Sequence, residues 1–461
     1  MAYRSWKRRD VLKAGGFIAL SVPWAGLPLK NKSGGLPISL PQDARFKKPE
    51  RPVTAVVLGA GNRGNLYASY SQKYPDELKI VGVAEPIEYR RKKFSALYEI
   101  PDKYQWITWE HSLQIPKFAD ALIITTPDHL HYGPATGGLA LGYDLLLEKV
   151  IAQTWTQCSD ILRAAKKNRR IVAVCHVLRY TPYFRKLKEI MDSGALGRIV
   201  SLQHFEPVEH IHMSHSFVRG NWRNAKESNP MILSKSCHDL DILRWMIGQS
   251  CRRVSSFGAL THFRVENAPP GSARRCTDGC KVEADCPFSA LKIYLQRKEY
   301  LGHLLVEDYK DESILKALKE GPYGRCVYHC DNDVVDHQVV NMEFEREISA
   351  AFSMEAFTSY AGRRTRVMGT GGDAVGDMTT LALYDFKTRT QTVWDASKDP
   401  DSQSGHGGGD FGLARDFVQA VSQQDPTLLT STIEASMESH LMGFKAEESR
   451  LSGKTVEVRM N

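Results

Sequence analysis

Hydrophobic positions in the first third of the chain fall in short unbroken runs. Val53–Leu58, Lys79–Ala84, Ala121–Thr126, Tyr143–Lys149 and Ile171–Val174 are rich in β-branched residues and leucine. Such runs predict strands covered on both faces. Between them lie helical patterns over Tyr132–Leu141 and Thr156–Asn168. This βαβ rhythm predicts an α/β fold with a parallel, doubly wound Rossmann sheet, whose ligands lie beyond the carboxyl ends of the strands. Apolar-polar alternation becomes clear only later, at Val339–Phe344. A further helix is expected from Ser236 to Met246, with Ser236 and Asp239 as a capping box.

The first run ends in Gly59-Ala60-Gly61-Asn62-Arg63-Gly64, a Gly-x-Gly-x-x-Gly turn. Its glycines permit a tight turn, a close approach of backbone to pyrophosphate, and close seating of the next helix on the sheet. That helix offers its N-terminus to the phosphates. The second run ends at Glu85, 26 residues after Gly59, placed to accept hydrogen bonds from the adenosine ribose and to favour NAD over NADP. Arg90 and Arg91 follow and keep NADP open, since either can reach a phosphate. Asn62, Arg63, Thr126, Pro127, His131, Glu148 and Lys149 complete the candidate cofactor-binding set.

The chain has 461 residues, enough for two domains, and a net charge of +8. Half of that charge sits in residues 1–29, where Arg4, Lys7, Arg8, Arg9 and Lys13 face Asp10 alone. No basic stripe interleaved with aromatics is present, which argues against a nucleic-acid partner. The paired Arg8-Arg9 before the uncharged stretch Ala14–Leu29 predicts a twin-arginine export signal and a periplasmic or extracellular destination. The uncharged stretch is too short and too rich in Gly and Pro for a stable membrane span. Residues 30–52 read as a linker. Outside the cytoplasm no NAD pool exists, so an exported nucleotide enzyme must hold its cofactor and restore its redox state within each cycle.

The succession Gly-x-Gly-x-x-Gly, Thr126-Pro127-Asp128-x-x-His131 and Leu146-Leu147-Glu148-Lys149 resembles the Gfo/Idh/MocA oxidoreductases, over nearly all of residues 53–461. The resemblance implies a Rossmann domain over 53–178. It also implies a second α/β domain over 179–461 with a large, open, mostly antiparallel sheet, which often joins copies into homo-oligomers. Where the family usually has Glu-Lys-Pro, this chain has Glu148-Lys149-Val150. The family's matching lysine takes the hydroxyl proton as hydride leaves, a role that suits a lysine depressed in pKa beside a cationic nicotinamide. An aspartate usually lies four residues before a family histidine; here those slots are Ser234 and His238, with Lys235 added. Catalysis is therefore expected from Lys149, His238 and Lys235.

Tyr180, His215, Arg219, Trp222, Asp241, His337 and His406 are candidate substrate contacts, the first as a roof over the nicotinamide and the others as polar or aromatic walls. His406 lies in Gly405-His406-Gly407-Gly408-Gly409, similar to His-Gly-Gly loops of the family's glycosidase branch. Five of the nine cysteines cluster within 276–330, in a segment read as an insertion over 262–330. Cys276, Cys280, Cys286 and Cys330 suit a structural zinc site; disulfides fit as well, given the expected oxidising destination, and an iron–sulfur cluster fits the spacing poorly.

Three functions remain open. One is a sugar or polyol oxidoreductase with tightly held NAD. Another is an NAD-dependent glycosidase or lyase working by transient oxidation and elimination. The third is a sugar-binding protein without catalysis.

Overall fold

The computed structural model describes residues 30–31, 47–403 and 405–460. The expected export signal, residues 1–29, and the linker positions 32–46 lie outside the described residues.

The unbroken apolar runs form one parallel sheet. Its strands are β1 (Val53–Leu58), β2 (Leu78–Ala84), β3 (Gln105–Trp106), β4 (Ala121–Ile124), β5 (Asp144–Leu147) and β6 (Val172–Val174). They lie in the order β3-β2-β1-β4-β5-β6, and every pair is parallel. The order reverses between β1 and β4, which opens a crevice above their carboxyl ends. Four helices return between these strands: α1 (Asn62–Lys73), α2 (Glu88–Leu97), α3 (Tyr132–Ala140) and α4 (Trp155–Asn168). Thr154 caps α4, its side chain accepting from the Gln157 amide at 3.2 Å.

After α5 (Pro182–Asp192) the chain builds a second sheet. It contains β7 (Ile199–Pro207), β8 (Cys251–Ala259), β9 (His337–Phe344), β10 (Ser349–Glu355), β11 (Arg364–Gly369), β12 (Gly372–Gly376), β13 (Thr380–Asp385), β14 (Thr390–Asp395) and β15 (Val456–Glu457). The order is β14-β13-β12-β11-β7-β10-β9-β8-β15, with Lys30–Asn31 beside β14. Neighbours are antiparallel except β7 with β10 and Lys30–Asn31 with β14. Alternation sends Leu202, Val254, Val340, Met342, Phe352 and Val367 into a core with α6 (Cys237–Ile247). The opposite face exposes Phe257, Val339, Val375 and Val393.

After α7 (Asp311–Glu320), two C-terminal helices pack on the sheets. Leu413, Phe417 and Val418 of α8 (Gly409–Gln423) pack with Val53, Ala55 and Val57 on one face of the parallel sheet. In α9 (Ile433–Ser452), Met437 packs on the other face, while Leu441, Met442 and Ala446 belong to the core of the second sheet. Both sheets are thus clamped by one helix, and the crevice above β1 and β4 faces the start of α6.

The expected capping box at α6 does not form. Ser236 occupies the N-cap position but makes no side-chain cap. Asp239 is drawn instead into a buried pair with Arg363 (2.6 Å) and His204 (2.9 Å), because a charged guanidinium competes better for a carboxylate than a backbone amide does.

The glycine turn after β1 separates two roles. Gly59 has φ +97° and a Cβ there would lie 2.7 Å from the Thr125 carbonyl oxygen; at Gly64 a Cβ would lie 2.1 Å from the Gly59 oxygen. At Gly61 a Cβ would meet nothing within 4 Å. Gly64→Ala is therefore expected to destabilise the protein by about 1–3 kcal/mol through overpacking. Gly61→Ala should leave the melting temperature of nucleotide-free protein unchanged while weakening nucleotide binding. Thermal melts with and without NAD check both; equal melting losses in the two variants would contradict the assignment.

Candidate active site

The turn from β1 delivers the start of α1 to the crevice, and Gly61, its N-cap, provides no side chain. A helix N-terminus left uncapped beside an open glycine suits a phosphate. Glu85, at the end of β2, is 4% exposed, and its two oxygens accept from the Ala60 amide (2.8 Å) and the Ile87 amide (2.9 Å). The carboxylate thus fixes the turn, and its remaining lone pairs are available to ribose hydroxyls. Arg91 donates to the Glu85 carbonyl at 2.6 Å, while Arg90 lies near Tyr323. Together the open Gly61 position, the uncapped helix and the oriented Glu85 fit an adenine dinucleotide.

Thr126 and Pro127 follow β4. Pro127 leads into a short 3-10 turn, Asp128–Leu130. Asp128 is buried and accepts from Trp222 Nε1 (3.2 Å), the Ser228 hydroxyl (3.1 Å) and Asn229 Nδ2 (3.3 Å). The Thr-Pro-Asp sequence therefore fastens the chain beyond β7 to the end of β4. His131 is fully buried between two carbonyl oxygens, Thr126 at 2.9 Å and Val150 at 2.6 Å, which locks the loop after β4 to the loop after β5.

Arg63, one turn into α1, lies between Glu148 (2.5 Å) and Asp410 (2.7 Å) and over the Tyr67 ring. Asp410 also holds His406 Nδ1 at 2.9 Å. Burial pushes the Glu148 carboxyl up, but Arg63 and Lys149 outweigh it and leave the group below its ordinary value. The same contest at Asp410 is won by His406 and Arg63. Arg63 and Glu148 thus form an ionic girder at the crevice wall.

Lys149 follows Glu148, and its Nζ reaches across to the Ser234 carbonyl oxygen at 2.5 Å. The position at which the family pattern has an aspartate thus still meets the lysine, through backbone. Lys235 turns away to Glu206 at 2.9 Å, and Arg363 bridges Glu206 (2.9 Å) and Asp239 (2.6 Å). His238 is 8% exposed, and its buried Nδ1 has no hydrogen-bond partner. Its ring lies 6.3 Å from that of His406 and 5.9 Å from that of His176. Burial, then Lys149, holds His238 well below its ordinary pKa. Burial and the lysines 235 and 149 push His212 down to about 3. His176 falls to about 3 and His440 to about 4, chiefly by burial. The crevice therefore pairs cationic amines with imidazoles held neutral.

The other expected contacts are scattered. His215 lies on a π-helical turn, Met213–Arg219, bonded to Tyr294 (2.8 Å) and stacked on Tyr323. Tyr180 does not roof the crevice; it is 2% exposed and its hydroxyl pairs with Ser431, because Thr181 starts a new helix and turns the chain inward. Asp241 is 1% exposed and takes both oxygens to Arg179, at 2.6 and 2.7 Å, so it is an internal ion pair and not a substrate contact. Arg219 is 1% exposed and donates to the Arg325 (2.7 Å) and Phe288 (2.7 Å) carbonyls, which removes it from any substrate wall. Trp222 is held by Asp128 and packs on the core of the second sheet. His337 begins β9 and pairs with Asp336 at 2.8 Å.

The expected zinc site is not formed. Among the described residues no three His, Cys, Asp or Glu side chains gather as a metal ion requires. Cys330 donates to the Cys326 carbonyl (3.3 Å), whereas Cys276 accepts from the Ala290 amide (3.4 Å). The nine cysteines are free thiols, so no disulfide forms either.

Sequence reading missed Glu206, Arg363, His176 and His440. His176 stands just after β6, where strand ends predict ligands; the others come from distant elements with no local motif.

The depressed histidines set a pH dependence. In the unfolded chain their pKa is about 6.5, so below that pH the unfolded state takes up protons the folded state refuses. Stability is complete above about pH 6.5 and is lost as pH falls through the folded values near 4 and 3, at up to about 1.4 kcal/mol per histidine per pH unit. Asp416, raised by burial to about 6, acts in the opposite sense and offsets only one of them. Melting temperature should therefore fall between pH 7 and pH 5; a flat or rising profile would contradict the neutral histidine cluster.

Residues 53–176 match the family described as "Oxidoreductase family, NAD-binding Rossmann fold", and residues 184–294 match "GFO/IDH/MocA C-terminal domain". YteT of Bacillus subtilis, named as a candidate oxidoreductase, is 23% identical over 366 residues, 75% of this chain and 83% of that one. A 2,7-anhydro-N-acetylneuraminate hydratase of Mediterraneibacter gnavus is 22% identical over 147 residues, 30% of this chain and 36% of the hydratase. An inositol dehydrogenase homolog of Azotobacter vinelandii, solved with NADH and myo-inositol, superposes with a TM-score of 0.63 at 15% identity, covering 89% of this chain and 99% of that one. The chain belongs to the Gfo/Idh/MocA family and is an NAD-binding oxidoreductase of that family.

Proposed function

We propose that the protein oxidises a CH–OH group of a sugar, polyol or glycoside by hydride transfer to a tightly held NAD, which is restored within each cycle by returning the hydride to a second carbonyl substrate or to the oxidised sugar itself. One observation carries this reading: Lys149, at the mouth of β5 and beside the dinucleotide turn, is tied across the crevice to Ser234, next to a His238 imidazole held neutral first by burial and then by Lys149. Bound nicotinamide supplies the hydride acceptor. With the cationic nicotinamide beside it Lys149 gives up its own proton, and as the free amine it takes the hydroxyl proton. His238, neutral through burial, accepts a hydrogen bond from a neighbouring substrate hydroxyl at Nε2, since its Nδ1 is buried. The Arg63–Glu148 pair keeps the start of α1 against the β5 loop, so that Lys149 and the phosphate-binding turn move as one unit. NADP is a weaker reading, since Glu85 faces the ribose side.

A second reading, oxidation followed by elimination and hydration or hydrolysis, is favoured by the same neutral imidazole of His238. A neutral imidazole beside the lysine is a base for a C–H made acidic by an adjacent carbonyl. The hydratase relative works on an anhydro-sugar by name. Export by a twin-arginine signal, which a redox-neutral cycle would suit, is part of this proposal. So is assembly through the exposed Phe257, Val339, Val375 and Val393 face of the second sheet.

The test uses purified protein without added cofactor, offered free sugars, inositols and aryl glycosides. A change in nicotinamide absorbance without aglycone release supports the first reading, and aglycone release the second. Lys149→Ala is expected to slow either by about 10²–10⁴-fold. Full activity in that variant, or no response to any substrate class, would overturn the proposal.

A further inference from the structure

Thr181 caps α5, its side chain accepting from the Phe184 amide, and the first turn of that helix sends Arg185 toward α8. Gly412 of α8 makes room for it: a Cβ there would lie 3.2 Å from Arg185 Nη2 and 3.0 Å from the Tyr180 Cβ. Where α5, α8 and the last turn of α1 meet there is a cavity of about 790 Å³, including its open mouth. Its lining includes Lys73, Tyr74, Arg185, Asp401, Phe411 and Arg415. The 12 residues of α1 put this end about 18 Å from the dinucleotide turn.

Among the described residues the Arg185 guanidinium makes no hydrogen bond and no ion pair. Asp416 and Asp401 act on it only from beyond ion-pair distance, and burial pulls the group below its ordinary pKa. A desolvated cation held this way costs free energy that an anion in the cavity would relieve. Asp401 is exposed; its amide donates to Asp399 Oδ1 at 2.9 Å, while its carboxylate has no hydrogen-bond partner among the described residues. An ionised carboxylate only accepts, so a ligand that meets it must bring donors. Tyr74 and Phe411 are half-buried rings on the same cavity. Lys73 Nζ stands 5.3 Å from the first ring centroid and 5.7 Å from the second, and is engaged there. The site thus asks for an anion, hydroxyl donors and an apolar ring face at once. A bare anion would be repelled by Asp401 with nothing to offset it, and a neutral sugar would leave Arg185 unpaired.

We propose that this cavity is a second ligand site, separate from the crevice, for a sugar acid: Arg185 takes the carboxylate, Asp401 accepts from ring hydroxyls, and Tyr74 and Phe411 pack on the apolar face of the ring. A planar guanidinium matches a carboxylate in two parallel hydrogen bonds. The loop that carries Asp401 also carries His406, which pairs with Asp410 at the crevice wall (2.9 Å). Gly408, at φ +96°, lies against the Asp401 carbonyl, where a Cβ would collide. A ligand held by Asp401 therefore bears on the loop that presents His406. The site is independent of the reaction assigned to the crevice.

The full chain, as purified, is to be titrated with glucuronate and galacturonate, with glucose and galactose, and with acetate and inorganic phosphate, followed by thermal melting and calorimetry. The uronates are expected to bind and raise the melting temperature, and the neutral hexoses and simple anions are not. Arg185→Gln should melt no lower than wild type without ligand, because it removes a desolvated charge that has no partner to lose. The same variant should bind uronate about 10–100-fold more weakly. Asp401→Ala, on an exposed position, should weaken uronate binding about tenfold and keeps the test decisive if Arg185→Gln fails to fold. Lys149→Ala should keep the full uronate response, which places that response outside the crevice. A wild-type protein that ignores uronates, or responds equally to the neutral hexoses, acetate or phosphate, would overturn the proposal. So would undiminished uronate binding in folded Arg185→Gln or Asp401→Ala, or loss of the response in Lys149→Ala.

Discussion

One ammonium group organises the crevice. Lys149 projects from the end of β5, crosses to the backbone at Ser234 and raises the local positive potential. The imidazoles around it are buried, and each is held neutral by burial, reinforced by the lysine. A protonated imidazole close to an ammonium in a desolvated site is penalised twice, once for lost hydration and once for like charge. The outcome is a division of labour: the lysine carries charge, and the histidines offer neutral nitrogen atoms. Hydride chemistry needs both, a group that exchanges a proton with a hydroxyl and acceptors that orient the sugar without adding positive charge beside a cationic nicotinamide.

That arrangement depends on the two sheets being held in fixed relation. Lys149 belongs to the parallel sheet, whereas Ser234 and His238 belong to the second layer. Two buried polar links join them: Asp128 with Trp222, Ser228 and Asn229, and Arg179 with Asp241. Buried pairs of this kind add little net stability over apolar packing, yet breaking one partner costs about 3–5 kcal/mol. Their value here is orientation. The apolar contribution comes from α9, which packs on both sheets.

The parallel sheet was legible because five of its six strands are covered apolar runs; β3, the partly exposed pair Gln105–Trp106, carries no such run and was not read. Gly59, Glu85, Thr126 and Lys149 all stand at strand ends, where the topology alone predicts ligands. The second layer was less legible. Asp239 looked like a helix cap, but Arg363, more than a hundred residues later, outcompetes the amide for it. Asp241 and Tyr180 carry polar atoms near the right elements, yet their partners, Arg179 and Ser431, draw them inside. Glu206 had no motif at all, since a carboxylate at the end of an antiparallel strand is indistinguishable from a surface residue until its two cations are placed. The cysteine cluster showed the same limit: spacing suggested four ligands, whereas among the described residues the fold gathers no three of them as a metal ion requires and turns Cys330 to a carbonyl.

The central claim is that the crevice above β1 and β4 holds an adenine-nicotinamide dinucleotide next to Lys149 through repeated turnovers. Denaturing freshly purified protein and identifying the released nucleotide by mass spectrometry tests this most directly. The account predicts NAD released at about one per chain, consistent with a preformed helix N-terminal phosphate site. Protein that releases no nucleotide and shows no thermal shift when NAD is added would contradict it.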